Sequence, residues 1–223
     1  MSYWFGLITH GFAIACIDRA LIRYPGDTIR TDIPKYYQPQ RIKNLYVLPA
    51  GSSEFATKVG DFFANFCVDD DDSFNIERLT ENPPRKTNFE NIVRRQFELL
   101  GGLSNSTILF AGFSNGKPFL GEISNRNNFN FQCVSNPGSF ILVRRDPEIN
   151  NHVTRRIRLF TKWARGKGLI GPEKWMAKRI FPGILRYVSV RDGFTSPEGD
   201  LIFITRDGSE IVSFARNGKL CPH

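Results

Sequence analysis

The sequence predicts an α+β fold in which two antiparallel sheets pack together and a pair of helices covers each outer face. Three observations predict it. Strand-like apolar runs gather at the start, the middle and the end of the chain. Two pairs of amphipathic helical stretches separate those groups, and short glycine-containing turns join neighbouring strands, which favours antiparallel pairing. With 223 residues, 41% hydrophobic and 23% charged, the chain can bury a full core, and residues 1–223 are read as one domain.

The elements follow in order. Residues 3–9 and 12–18 are rich in aromatic and β-branched side chains around a turn at His10-Gly11, and predict a hairpin. "NLYVLPAG" predicts a strand over 44–51. In "SSEFATKVGDFFANF", Phe55, Val59, Phe62 and Phe66 recur at helical spacing behind Ser52 or Ser53 as the cap. The segment "VDDDDSFNIERLTENPPRK" reads as a surface excursion. Its aspartates, Asp69 to Asp72, lack the spaced ligands and glycine of a calcium loop, so no metal is expected there. Thr87 and Glu90 are spaced as a capping box for a second helix carrying Ile92, Val93, Phe97 and Leu100, which Gly101-Gly102 should stop. "STILFAGF" and "KPFLGEIS" flank Ser114-Asn115-Gly116 as a hairpin, with "FNFQCV" as a third strand. Helices are predicted over 148–166, with Val153, Ile157, Phe160 and Ala164 on one side, and over 173–190, where Pro182-Gly183 should kink or divide the helix. "DLIFITRDG" and "EIVSFAR" form the closing hairpin around Asp207-Gly208.

Composition narrows the function classes. The opening has no basic leader, and Gly6, His10 and Gly11 interrupt its apolar run, so neither a signal peptide nor a membrane span is expected and the cytoplasm is the expected compartment. Cys16, Cys67, Cys133 and Cys221 are dispersed, with no paired spacing and no flanking histidines, which argues against a zinc site or a disulfide framework. The formal charge of +8 is uneven. Residues 144–191 hold thirteen basic side chains against three acids, net +10, which leaves −2 for the remainder. Such a block is either the solvated outer face of two helices or an attractor for an anionic partner, nucleic acid included.

Four segments resemble the proteasome-type N-terminal nucleophile hydrolases, the proteasome β subunits and their bacterial relatives such as the ancestral β subunit. "MSYWFGLITHGFAIACIDRA" is similar to the family opening, a small hydroxyl residue followed by a hairpin that ends on an acid and an arginine. "LYVLPAGSSEFATKVGDFF" resembles its strand, Ala-Gly turn and first helix, and "TILFAGFSNGKPFLGEIS" its central hairpin. "RDGFTSPEGDLIFITRDG" resembles its Arg-Asp-x-x-Ser segment, with Asp200 at the family interval. The resemblance implies a four-layer αββα sandwich.

It also implies a chemistry. A serine hydroxyl needs a base, and His10, His152 and His223 form no triad pattern. An N-terminal residue supplies its own, because an α-amine with a pKa of about 7.7–8.0 is partly neutral near physiological pH. The resemblance makes Ser2 the nucleophile once Met1 is removed, a step its small side chain favours. It gives Lys35 the role of the catalytic lysine, with Lys43 a second candidate, and has Asp18 hold that lysine. Asp192 and Thr195 would bond the amine, and the Gly51 N–H would face the oxyanion. Pro49 and Ser53 would line the substrate pocket. The serine of the family's Gly-Ser-Gly ahead of its third helix has only Ser135 or Ser139, in "SNPGS", to stand for it.

The expected activity is therefore cleavage of peptide or amide bonds through an acyl-enzyme, with no cofactor. A ligase results if an amine replaces water. The resemblance implies self-assembly into a homo-oligomeric ring or open helical array, by heterologous contacts. Two other classes stand beside it, a catalytically silent structural or binding subunit and a nucleic-acid-binding module using the basic region.

Overall fold

The alternation within the strands decides the layers. The computed structural model describes residues 3–19, 21–23, 27–30, 34–39, 44–51, 53–64, 81–99, 106–143, 145–165, 170–192 and 195–221. Its strands are β1 (Trp4–Ile8), β2 (Ala13–Asp18), β3 (Leu21–Arg23), β4 (Asp27–Arg30), β5 (Leu45–Ala50), β6 (Thr107–Ser114), β7 (Lys117–Ser124), β8 (Gln132–Val134), β9 (Phe140–Leu142), β10 (Gly199–Thr205) and β11 (Gly208–Phe214). Its helices are α1 (Ser53–Ala64), α2 (Pro83–Leu99), α3 (Pro147–Arg165) and α4 (Ile170–Arg191). One sheet runs β11-β10-β2-β1-β9 and the other β5-β6-β7-β8, with β3-β4 a separate two-stranded ladder; every pairing is antiparallel.

In β5, Tyr46, Leu48 and Ala50 enter the core shared with the five-stranded sheet, whereas Leu45 and Val47 point to the opposite face under α1 and α2. β6 divides the same way, Leu109 and Ala111 inward, Ile108 and Phe110 toward the helices. A period of two buried on both faces is what a sheet needs when another sheet covers one side and helices the other. α3 and α4 cover the five-stranded sheet through Val153, Ile157, Phe160, Phe181, Leu185 and Val188. The order is therefore helices, sheet, sheet, helices, as the sequence predicted. Gly6 marks a close approach of the two sheets: a Cβ there would lie 2.8 Å from Leu120 Cδ2.

Several elements differ in detail. Phe63, not Phe62, joins Phe55 and Val59 in the buried stripe of α1, while Phe62 is half-buried and Phe66 lies outside the described residues. α2 begins at Pro83 with Asn82 ahead of it, Asn82 Oδ1 accepting from Arg85 N at 3.3 Å, so Thr87 is interior to the helix and the expected capping box is not its start. Glu90 instead accepts from the Phe131 backbone N–H at 2.7 Å and ties α2 to the strand beneath. Pro182 sits inside α4 without dividing it. The central hairpin turns at Asn115 and Gly116, both at positive φ, the turn that matches strand twist. β3, β4 and β9 had no clear signal in the sequence, since each is only three or four residues long. The aspartate run, Gly101-Gly102 and Lys43 lie outside the described residues. No described helix is long and apolar enough to cross a membrane.

Candidate active site

The end of the first hairpin gathers the predicted residues around a buried carboxylate. Asp18 closes β2 with its side chain fully buried. A buried carboxylate must be satisfied by donors, and the described residues include these. Oδ1 accepts from the Tyr3 backbone N–H at 2.7 Å, and Oδ2 from the Ser196 backbone N–H at 3.1 Å. The Lys35 ammonium lies 3.4 Å from Oδ2. Tyr3 directly follows Ser2, which lies outside the described residues, so the first described peptide of the chain is pinned to Asp18.

Lys35 is 2% exposed. Burial pushes its ammonium below the ordinary lysine range, Asp18 draws it partly back, and the Arg145 guanidinium adds to the depression. A lysine held this way loses its proton more readily than one in water. Lys35 is the lysine described at this centre, and Lys43 lies outside the described residues.

Asp192 and Thr195 form a second cluster at the end of α4. Thr195 Oγ1 donates to Asp192 Oδ2 at 3.0 Å, and the Thr195 backbone N–H donates to the Asp192 carbonyl at 3.0 Å, a local turn that needs no long-range partner. Ser196, the next residue, carries the N–H bound to Asp18, so one short segment joins both clusters. Arg145 has no assigned role in the sequence reading. Its Nε stands 2.9 Å from Asp192 Oδ2, its guanidinium lies 6.0 Å from the centroid of the Tyr3 ring, and it is largely buried. Asn150 holds its backbone from both sides, Nδ2 donating to the Arg145 carbonyl at 2.9 Å and Oδ1 accepting from its N–H at 3.0 Å.

Arg145 also corrects the reading of "SNPGS". Asp146 caps α3, its Oδ1 accepting from Glu148 N at 2.8 Å, so the residues directly ahead of the third helix are Arg145 and Asp146. Ser139 is at the other end of β1, where its carbonyl accepts from Ile8 N at 2.9 Å. Ser135 precedes it in the same loop. A count back from the helix cap would have found Arg145 in the sequence.

Gly51 follows β5 and is buried. A Cβ there would come within 2.7 Å of Ser106 Oγ and 3.0 Å of Phe55 Cδ1, so the backbone is approached too closely for any side chain. Ser106 in turn borders a cavity of about 40 Å³ that Arg145, Arg126, Glu122 and Ser124 also line. Pro49 is buried in β5 opposite Ile108, two residues before Gly51. Ser53 opens α1, with its side chain outside the described residues.

Asp200 makes the neighbouring centre. Arg19 grips it with two bonds, Nε to Oδ2 at 2.8 Å and Nη2 to Oδ1 at 2.6 Å, while Ser213 Oγ donates to Oδ1 at 2.7 Å. This fork ties β2, β10 and β11 together, and the Asp18-Arg19 dipeptide therefore feeds two different buried acids. Among the described residues no cluster of three or more potential metal ligands occurs.

This arrangement, with its layer order, decides the fold comparison. The chain has the proteasome-like N-terminal nucleophile hydrolase fold. Anbu from Hyphomicrobium sp. strain MC1 superposes with a TM-score of 0.60 at 16% identity, over 96% of this chain and 88% of that one. Anbu, the ancestral β subunit, from Yersinia bercovieri gives 0.59 at 13%, over 96% and 88%. A mutant of the Hyphomicrobium Anbu gives 0.58 at 14%, over 95% and 84%. No sequence-family model matches the chain, and no curated protein does. Likeness to Anbu at this identity is a likeness of fold, so the chemistry is argued from the residues described above.

Proposed function

We propose that the chain is an N-terminal serine hydrolase of the proteasome type, a single domain acting on peptide or amide bonds in the cytoplasm. The observation that carries this reading is the buried Asp18, which collects Lys35, Ser196 and the backbone of Tyr3 one residue away from the hydroxyl of Ser2.

The steps balance with this chain's own groups. Removal of Met1 frees the Ser2 α-amine. The amine takes the Ser2 hydroxyl proton, directly or through water, as the oxygen attacks the substrate carbonyl, and the nearby Lys35 charge favours the alkoxide. The Gly51 N–H donates to the oxyanion. Collapse of the tetrahedral adduct breaks the C–N bond, the amine leaves with the proton, and an ester remains on Ser2. Water then hydrolyses the ester and restores the hydroxyl; an amine in its place would make the product a ligation. Asp192 and Thr195 orient the N-terminal amine, and Pro49 and Ser53 border the substrate. A homo-oligomer, ring or open array, goes with this reading.

One observation favours a second reading, a silent structural subunit. Asp192, the acid assigned to the amine, is already paired with Arg145. Intact mass with and without a β-lactone separates the two readings. The hydrolase loses Met1 and gains one adduct, which Ser2→Ala abolishes. Retained Met1, or a free Ser2 that never reacts, leaves the silent subunit.

A further inference from the structure

The two outer helices of the basic region enclose a groove of about 490 Å³ between α3 and α4. His152 and Arg156 line it from α3, and Arg179, Gly183, Tyr187 and Arg191 are among its residues from α4. Gly183 leaves its floor open, since a Cβ built there meets nothing within 4 Å. The basic residues that the sequence spreads over 144–191 are therefore partly focused into one concavity.

The arginines are oriented as well as concentrated. The Arg191 guanidinium lies 3.8 Å from the centroid of the Tyr187 ring, and His152 is stacked with that ring at 3.5 Å and 7°. Arg179 lies 3.8 Å from the centroid of Trp175, which is 51% exposed. From Trp175 to Arg191 the helix runs about 24 Å at ~1.5 Å per residue. Arg156, Arg179 and Arg186 make no ion pair with a described residue. Among the described residues no acid lines the groove, and Glu148 reaches its edge, its Oε1 3.4 Å from Arg191 Nε and accepting from Tyr187 Oη at 3.4 Å. The field is felt by His152, whose imidazole is pushed below its ordinary range by burial first and then by Arg156, Arg191 and Arg155, with Glu148 opposing.

We propose that this α3–α4 groove binds single-stranded nucleic acid, phosphates on Arg156, Arg179 and Arg186 and bases against the Trp175–Arg179 stack and the outer face of the His152–Tyr187–Arg191 stack. Charge complementarity alone would suit any polyanion. Planar guanidinium–aromatic stacks in and beside a groove lined by four arginines, His152 and no acid favour bases, which offer a π-face that an acidic peptide lacks. The inference does not depend on the hydrolase reading, because no residue of the Asp18 or Asp192 centres takes part.

The test is fluorescence anisotropy of the full chain with labelled dT16 and rU16 across a potassium chloride series. Binding should weaken with salt. Replacing Arg156, Arg179 and Arg186 together by Gln should flatten the log–log slope by about 2, at ~0.7 per phosphate contact on a single strand. Trp175→Ala should weaken binding about fivefold or more with the slope unchanged, as loss of one stacked base predicts. Glu148→Gln should tighten it. Circular dichroism checks that each variant is folded. The proposal is overturned by absent binding at 50 mM salt, by a folded triple variant that binds as the parent does, or by polyglutamate displacing the probe as well as unlabelled dT16. It is equally overturned if the triple substitution only alters oligomer size, which would assign the groove to a second copy. Ser2 labelling is read separately, so failure of either proposal leaves the other standing.

Discussion

Asp18 and Asp200 are both fully buried and both accept from a basic side chain, and Asp18 ends the strand that Arg19, the partner of Asp200, follows, yet the two centres are built differently. Asp200 holds a two-pronged guanidinium at 2.6 and 2.8 Å, with Ser213 completing its shell. Its hydrogen bond raises Arg19 further into the charged state, against the opposing cost of partial burial. Asp18 instead meets an ammonium at 3.4 Å whose proton affinity burial has lowered. Arginine cannot release its proton and matches a carboxylate bond for bond, so the Asp200 centre is a clamp. Lysine shifts when desolvated, so the charge at the Asp18 centre is the one its surroundings tune.

That contrast can be broken most severely at the clamp. Arg19→Met leaves Asp200 buried with Ser213 alone, and we expect a loss of about 3–5 kcal/mol, the usual penalty for stranding one member of a buried pair. Denaturant unfolding measures it. A loss below 1 kcal/mol would show that the fork is not the stabilising element described here. Lys35→Met should cost less, about 1–3 kcal/mol, because Asp18 keeps two backbone donors. The same substitution should slow β-lactone labelling of Ser2 at least about 100-fold, the usual cost of removing one electrostatic stabiliser of the reacting oxygen. Equal labelling of parent and variant would move Lys35 to the structural side of the comparison.

The pH dependence sharpens the same point. The folded pKa of Lys35 lies below its unfolded value of about 10.4. Between those two values the unfolded chain binds more protons, so stability gains as pH rises across that window and the penalty is fully present below it. The stability difference between parent and Lys35→Met should therefore shift toward the parent as pH climbs to about 10.4. A difference that is flat with pH would mean that Lys35 is not depressed. Smaller still is Thr195→Val, which removes the Oγ1 bond to Asp192 and leaves the Arg145 pair. About 1 kcal/mol is expected, read by thermal unfolding, with the labelling rate reporting whether that hydroxyl also serves Ser2. The smallest effect is at the surface, where Lys178 first and then Lys174 hold Glu210 below the ordinary carboxylate range. That contribution is present above the unfolded pKa of about 4.3 and fades as pH falls, so Glu210→Gln should differ from the parent at neutral pH and converge with it in acid.

Periodicity made the layers legible. The pattern over 153–164 named the buried stripe of α3 residue by residue, and "TILFAGFSNGKPFLGEIS" announced its own turn. The first helix showed the limit, since Phe62 and Phe63 both fit an apolar stripe and only packing against β6 selects Phe63, whose ring meets Phe110 at 5.3 Å. For the candidate site, resemblance pointed to Asp18, Lys35 and Asp192, and the structure brings Asp18 and Lys35 together. The site was not legible in Arg145, because an arginine in a basic run looks like any other until a helix cap and a carboxylate fix its place.

By itself, then, the sequence determined what short-range physics controls: strand and helix types, turns, the double-faced burial of β5 and β6, and the concentration of positive charge over 144–191. Tertiary structure alone decided which charges meet. Arg19 reaches across 181 residues to Asp200, Ser196 across 178 to Asp18, and Arg145 across 47 to Asp192. Local propensity carries no information at such separations, because sheet order, and not chain order, sets which strand ends become neighbours.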